Sequence, residues 1–306
     1  MATQNNGGVF QQLFDVFCGT VKKYDLVPVG KSKVVIFYSG GKDASLATDL
    51  FMEYRDKVRP DLKIELLTVK FPEMIYSSSD PIQQQFVKEA LQYWEDKGCT
   101  HKWVDLPAGV GDHLFDNEDV PCQVCESVKV KIIYDELSKE EYRDALVVLA
   151  HTIEDISGYF SEIFYIGANS KDWREMKENN PVLFNRTMEL AKRVYPKYQP
   201  PAFKTNITYI KPLIEMEEDV IKAVKAERQY PDIPECCAKI RGSKFRMYKR
   251  IVMECFDWLR DRYQNDQEIS TNMIFKNYGN MLKRYQDTGL IPTQQEIESF
   301  NLKSGI

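Results

Sequence analysis

The sequence predicts an α/β protein built on a doubly wound, parallel five-stranded sheet, with a helix before it and a helical extension after it. Two observations carry this. Short apolar runs rich in β-branched residues alternate with helical stretches of a dozen residues or more, the pattern of repeated βαβ units. One such run, KVVIFY at 33–38, passes directly into a loop with two glycines and then into a helix. That order brings the chain to the ligand-binding edge of an open α/β sheet.

A helical pattern over 8–25 comes first. The strand at 33–38 leads to a helix over 43–56, and the strand KIELLTVKF at 63–71 to a helix over 81–97. HKWVDL at 101–106 is the third strand, followed by a loop and a helix starting near Cys125. ALVVLA at 145–150 is the fourth strand, with a helix from Glu154 behind it. Residues 168–206 are rich in Asn, Lys and Pro, and read as an irregular insertion or lid. ITYIKPL at 207–213 supplies the fifth strand, and from Glu217 onward the pattern is helical. The expected division is an N-terminal helical segment (1–30), a nucleotide-binding domain (31–215) and a C-terminal helical region (216–306). Right-handed crossovers then place every strand C-terminus on one edge.

Composition narrows the function. A hydrophobic fraction of 43% with 28% charged residues is that of a globular protein with a full core. No run approaches the length of a membrane span. MATQNNGGVF lacks the basic start and apolar run of a secretory signal, so a cytoplasmic protein is expected. The net charge of −5 argues against a surface devoted to nucleic-acid backbone. A local basic patch, Lys239, Arg241, Lys244, Arg246, Lys249 and Arg250, remains available. Seven cysteines, an odd number and unevenly spaced, point away from a disulfide framework. Cys18, Cys99 and Cys255 read as small buried hydrophobes.

The chemistry starts at Ser39-Gly40-Gly41-Lys42-Asp43-Ala44-Ser45. Two glycines let the backbone turn tightly and approach a ligand without Cβ obstruction. Helix N-terminal amides and the helix dipole make an anion site. Ser39 and Ser45 can donate hydroxyls to phosphate oxygens, Lys42 adds a point charge, and Asp43 suits Mg²⁺ bridging phosphates.

Cys122 and Cys125, in Pro121-Cys122-Gln123-Val124-Cys125, sit just before a predicted helix and can chelate one metal. Half a zinc site and a redox pair are both open readings. The remaining cysteines, Cys236 and Cys237, lie over a hundred residues later. Three thiolates, from Cys122, Cys125 and one of Cys236 or Cys237, would hold three irons of a [4Fe–4S] cluster and leave the fourth open to an exogenous sulfide.

The loop resembles the SGGxDS motif of the PP-loop (adenine nucleotide α-hydrolase) superfamily. The resemblance implies that ATP is split between its α- and β-phosphates, with Ser39 through Ser45 holding the triphosphate. Ala44 stands where the family has a hydroxyl residue. Together with PCQVC (121–125), HTIEDI (151–156), KPL (211–213) and IPECC (233–237), the loop resembles the tRNA 2-thiocytidine/2-thiouridine synthetase branch. By that resemblance, the end of the second strand, with Val69 and Phe71, packs on adenine and ribose. His151 lies at the ligand edge, Asp155 is the acidic active-site residue, and Lys211 meets a phosphate. Cys237 is the candidate sulfur carrier if Cys236 is the ligand. A capping cluster at the start of a helix is the plainer reading of 151–155. The late Cys-x-x-Cys of the family is reduced here to Cys236-Cys237.

The function expected is that of an ATP-dependent sulfurtransferase. It would adenylate a carbonyl oxygen of a tRNA base, or of a small-molecule amide or purine, and replace it with sulfur. Its cofactors would be ATP, Mg²⁺ and a [4Fe–4S] cluster, with zinc as the alternative metal. Its partners would be the substrate and a sulfur donor (sulfide, a cysteine desulfurase or a carrier), and the resemblance admits a homodimer. Two rivals stand beside it: a PP-loop ligase or amide-forming synthetase without iron–sulfur chemistry, and a non-catalytic nucleotide-binding relative.

Overall fold

The computed structural model describes residues 8–69, 81–105, 121–167, 170–199, 206–231, 233, 251, 254–255, 257–259, 261–263, 265 and 278–304. Helix α1 (Val9–Lys23) buries Phe10, Leu13, Phe14, Phe17 and Val21, the i, i+3, i+4, i+7 stripe of an amphipathic helix. The chain then alternates: β1 (Lys33–Phe37), α2 (Lys42–Lys57), β2 (Lys63–Val69), α3 (Pro81–Asp96), β3 (Thr100–Val104), α4 (Pro121–Leu137), β4 (Leu146–Val148) and α5 (Ile153–Gly167). After α5 come α6 (Trp173–Asn179), α7 (Pro181–Val194), β5 (Lys197–Tyr198), β6 (Thr208–Ile210) and α8 (Glu218–Arg228). Two further helices, α9 (Tyr278–Asp287) and α10 (Gln294–Ser304), lie toward the C-terminus.

The sheet has six strands rather than the expected five, in the order β3-β2-β1-β4-β6-β5. Five are parallel, and the sixth, β5, pairs antiparallel with β6 through Lys197↔Ile210 and Tyr198↔Tyr209. Two residues are too few to show a period of two, so this edge strand leaves no trace in the sequence. The expected insertion at 168–206 also differs. Its described part is mostly helical, and Met188, Leu190, Ala191 and Val194 of α7 are buried in a core shared with α5, α9 and α10.

Alternation along the central strands shows why both faces are covered. Val34 and Ile36, Ile64 and Leu66, and Leu146 and Val148 face one side, where α1, α2, α3 and α8 pack. Val35, Leu67 and Val147 face the other, against Ile132, Ile133 and Leu137 of α4. Burying such a residue on either face contributes about 1.5–3 kcal/mol. The strand order reverses direction between β1 and β4, and the C-terminal ends of these two neighbours open the crevice where open α/β sheets bind ligands.

One ion pair ties the helical layer together. Asp49 of α2 is 3% exposed. It accepts from Arg228 Nε at 2.7 Å, Arg228 Nη2 at 3.1 Å and the Tyr230 hydroxyl at 2.9 Å. The Arg228 guanidinium also lies 4.2 Å from the centre of the Phe10 ring, so α1, α2 and α8 meet at one buried carboxylate.

Candidate active site at the β1–β4 crevice

Leaving β1, the chain passes Tyr38 and Ser39 and turns at Gly40, whose φ of +73° is open to glycine and strained for any other residue. Gly41 caps α2 with no side-chain hydrogen bond. A Cβ added to Gly41 would sit 3.3 Å from Ser39 Oγ, which itself accepts from the Gly41 amide at 3.4 Å. The first bond of α2 in which Gly41 O accepts is from Ser45 N, at 3.0 Å. The amides of Lys42, Asp43 and Ala44 precede it and point out of the helix N-terminus. By contrast, α6 and α7 are capped by the Asp172 and Asn180 side chains.

The seven loop residues divide in two. Ser39, Gly41, Lys42 and Asp43 are exposed or partly exposed, whereas Gly40 is buried and Ala44 and Ser45 are buried at 4% and 1% exposure. Ser45 lies beneath the loop, beside the Tyr38 hydroxyl, which also accepts from Trp94 Nε1 at 2.9 Å. The Ser45 hydroxyl is itself buried.

Helix α5 begins at the same edge, after β4. The Asp155 carboxylate accepts from the Thr152 amide at 3.1 Å and from the Thr152 hydroxyl at 3.3 Å. Both bonds run from Thr152 to the carboxylate, so Asp155 satisfies one free amide at the start of α5. Asp155 also lies close enough to Asp43 for the two carboxylates to repel. The ring of His151 packs against Tyr159 with centroids 5.6 Å apart.

Helix α8 brings a third N-terminus. Its first residue, Glu218, donates its amide to Glu154 Oε1 at 2.8 Å. Its carboxylate lies 3.2 Å from Lys42 Nζ. Lys42 also contacts both carboxylate oxygens of Asp43, at 3.1 and 3.0 Å. Three helix starts, those of α2, α5 and α8, thus converge, each with an acidic residue in its first turn. Burial, opposed by Lys42 and reinforced by Asp155 and Glu218, raises the carboxyl pKa of Asp43. Burial, eased by the bond from the Glu218 amide, raises that of Glu154. Sequence reasoning did not single out Glu218. A run of acidic residues at a helix start was visible, but its partner lies in a different part of the chain.

The other expected site residues fall in several places. Val69 ends β2, and its side chain is in the α4-side core. Phe71 lies outside the described residues. Lys211 is fully buried: its Nζ donates to the carbonyl oxygens of Lys192, at 3.2 Å, and of Tyr195, closing the end of α7. Burial, with Arg193 nearby, pulls its pKa down to about 7. Its partners here are the protein's own carbonyls rather than a phosphate. Replacing Lys211 by Met should leave these acceptors unpaired and cost roughly 2–4 kcal/mol of stability, measured by urea unfolding. A loss below about 0.5 kcal/mol would show that the cap is dispensable.

Cys122 and Cys125 lie inside the first turn of α4, which begins at Pro121, not ahead of a helix starting near Cys125. Proline suits that first position, and a spacing of three places the two residues on one side of the helix. Because α4 starts after β3, its N-terminus lies at the same sheet edge as the loop. Cys236 and Cys237 lie outside the described residues, as does the basic stretch 239–250. Ile233, three residues ahead of Cys236, is packed in the core beneath α2 and α8. Of the three remaining cysteines, Cys99 is buried, with its thiol 3.2 Å from Met52 Sδ, and Cys18 is half-buried. Cys255 is exposed, contrary to the buried role expected of it.

Among the described residues, no group of three or more His, Cys, Asp or Glu side chains is arranged to hold a metal ion. No described helix is long and apolar enough to cross a membrane. No protein-family profile and no curated protein matches the chain. Among solved structures, it is similar to the U34-tRNA thiolase NcsA from Methanococcus maripaludis, determined with its [4Fe–4S] cluster. The TM-score is 0.59 at 19% identity, over 90% of this chain and 79% of the other. At that identity the likeness is one of fold: the chain shares the α/β fold of that protein.

Proposed function

We propose that the protein is an ATP-dependent sulfurtransferase that activates a carbonyl oxygen, on a tRNA base, as an adenylate and exchanges it for sulfur. The observation that carries this reading is the glycine loop Ser39–Lys42 at the β1–β4 crevice, opening onto the uncapped N-terminus of α2. The fold shared with a tRNA thiolase supports it.

The proposed roles are these. The amides of Lys42, Asp43 and Ala44, with the α2 dipole, bind the triphosphate. Lys42 neutralises charge that grows as the carbonyl oxygen attacks the α-phosphorus and pyrophosphate departs. Asp43 would be the protein's ligand to Mg²⁺, which would supply charge neutralisation on the phosphates. Asp155 and His151 border the crevice from the β4 side, next to the reacting oxygen.

Cys122 and Cys125 are the first two proposed ligands of an iron–sulfur cluster. Cys122 and Cys125 share one side of the first turn of α4 at the ligand edge, where helix amides favour thiolates. Cys236 or Cys237 would be the third ligand. When bound with three protein thiolates, the cluster would supply an iron open to sulfur.

The test is a reaction run without oxygen, containing ATP, Mg²⁺, sulfide and tRNA that lacks thionucleosides. AMP, pyrophosphate and thionucleoside are expected in equal amounts, and Asp43→Asn should lower all three at least ~100-fold. Release of ADP and phosphate, or a colourless protein holding stoichiometric zinc, would overturn the reading.

A further inference from the structure

The contact between Lys42 and Glu218 joins the glycine loop to a helix almost two hundred residues later. Lys42 Nζ sits between Asp43, at 3.0 Å, and Glu218 Oε1, at 3.2 Å. All three side chains are largely shielded, at 23%, 29% and 19% exposure. Asp43 neighbours Lys42 in sequence, so their contact costs little chain ordering. Glu218 is brought there by fold, held by the bond from its own amide to the buried Glu154 carboxylate. A second cation, Lys222, lies one turn along α8, 3.8 Å from the same Glu218 oxygen.

Three helix N-termini directed at one crevice create a field that favours an anion. Carboxylates of the protein's own first turns lie in that field, and Glu218 takes the ammonium best placed for a phosphate. We propose that Glu218 is the internal stand-in for the nucleotide phosphates. It pairs with Lys42 and yields it when ATP binds, keeping Lys222 as its counter-ion. Glu218 is thus a positioning residue acting through Lys42, and α8 registers whether the loop is filled. This rests on the reading that the loop binds ATP.

The exchange predicts an unusual sign. Removing an acidic residue 3.2 Å from the phosphate-binding lysine should strengthen nucleotide binding, since the phosphates no longer compete for Lys42 and meet one charge fewer. A partly exposed pair of this kind corresponds to about two- to fivefold in affinity. The measurement is calorimetric titration of the full-length protein with Mg²⁺ and α,β-methylene-ATP, which cannot be cleaved at the bond in question. Glu218→Gln should bind two- to fivefold more tightly than the wild type. Glu218→Asp, which keeps the charge, should stay within twofold of it. In a Lys42→Met background, Glu218→Gln should lose most of its advantage, as coupled partners do in a double-mutant cycle.

A merely structural Glu218 would make both substitutions weaken binding through a disturbed α8, and that result overturns the proposal. So does unchanged affinity in Glu218→Gln, or an equal gain with and without Lys42. Failure of the wild type to bind the analogue would sink the nucleotide reading itself, and this inference with it. Binding that is unaltered by Glu218→Gln would sink the inference alone.

Discussion

Arg228→Met should cost the protein about 2–4 kcal/mol, because it leaves a carboxylate that is 3% exposed without its main counter-charge. The remaining partners of Asp49 are the Tyr230 hydroxyl at 2.9 Å and Lys97 at 3.6 Å. Neither restores the two-pronged contact that the guanidinium makes. Methionine keeps much of the packing over the Phe10 ring, so the loss reports charge more than volume. Urea unfolding followed by far-ultraviolet circular dichroism gives the value. A change below about 0.5 kcal/mol would mean that Asp49 does not depend on Arg228 as its counter-charge. Arg228→Lys should fall between the two, since a single ammonium cannot reproduce the fork.

Cys122→Ala should remove the iron and reduce thionucleoside formation at least ~100-fold, while leaving the analogue's affinity for the loop within about twofold. The two effects separate because α4 approaches the crevice from the opposite sheet face to α2. The checks are iron and acid-labile sulfide per chain, the visible absorption spectrum, and calorimetry with the same analogue. Retained activity in the alanine variant would favour the rival reading, a PP-loop ligase in which nitrogen attacks the adenylate.

What the sequence revealed and what it concealed have physical reasons. The glycine loop was legible because everything it needs is local: a strand, two glycines and a helix start in succession. The five longer strands were legible for the same reason, since burial on alternate faces writes itself into consecutive residues. The start of α5 could be read from Thr152 and Glu154, polar residues that suit a helix start, although the bond made there runs from Thr152 to Asp155. Helices α6 and α7 were hidden behind a polar composition, although Asp172, and Asn180 followed by Pro181, are helix-start signals in their own right. Lys211 and Glu218 were opaque. One lysine faces carbonyls and one glutamate faces another lysine, and both pairings exist only after distant elements pack.

The β1–β4 pairing has a consequence for how the protein comes into being. Val34 lies beside Leu146 and Ile36 beside Val148, partners separated by on the order of a hundred residues, so this seam closes only after a large loss of chain entropy. During synthesis the glycine loop leaves the ribosome long before the strand that completes its crevice. A nascent chain stopped short of β4 would carry the whole phosphate motif yet lack the groove it serves. The binding groove is therefore a late product of folding.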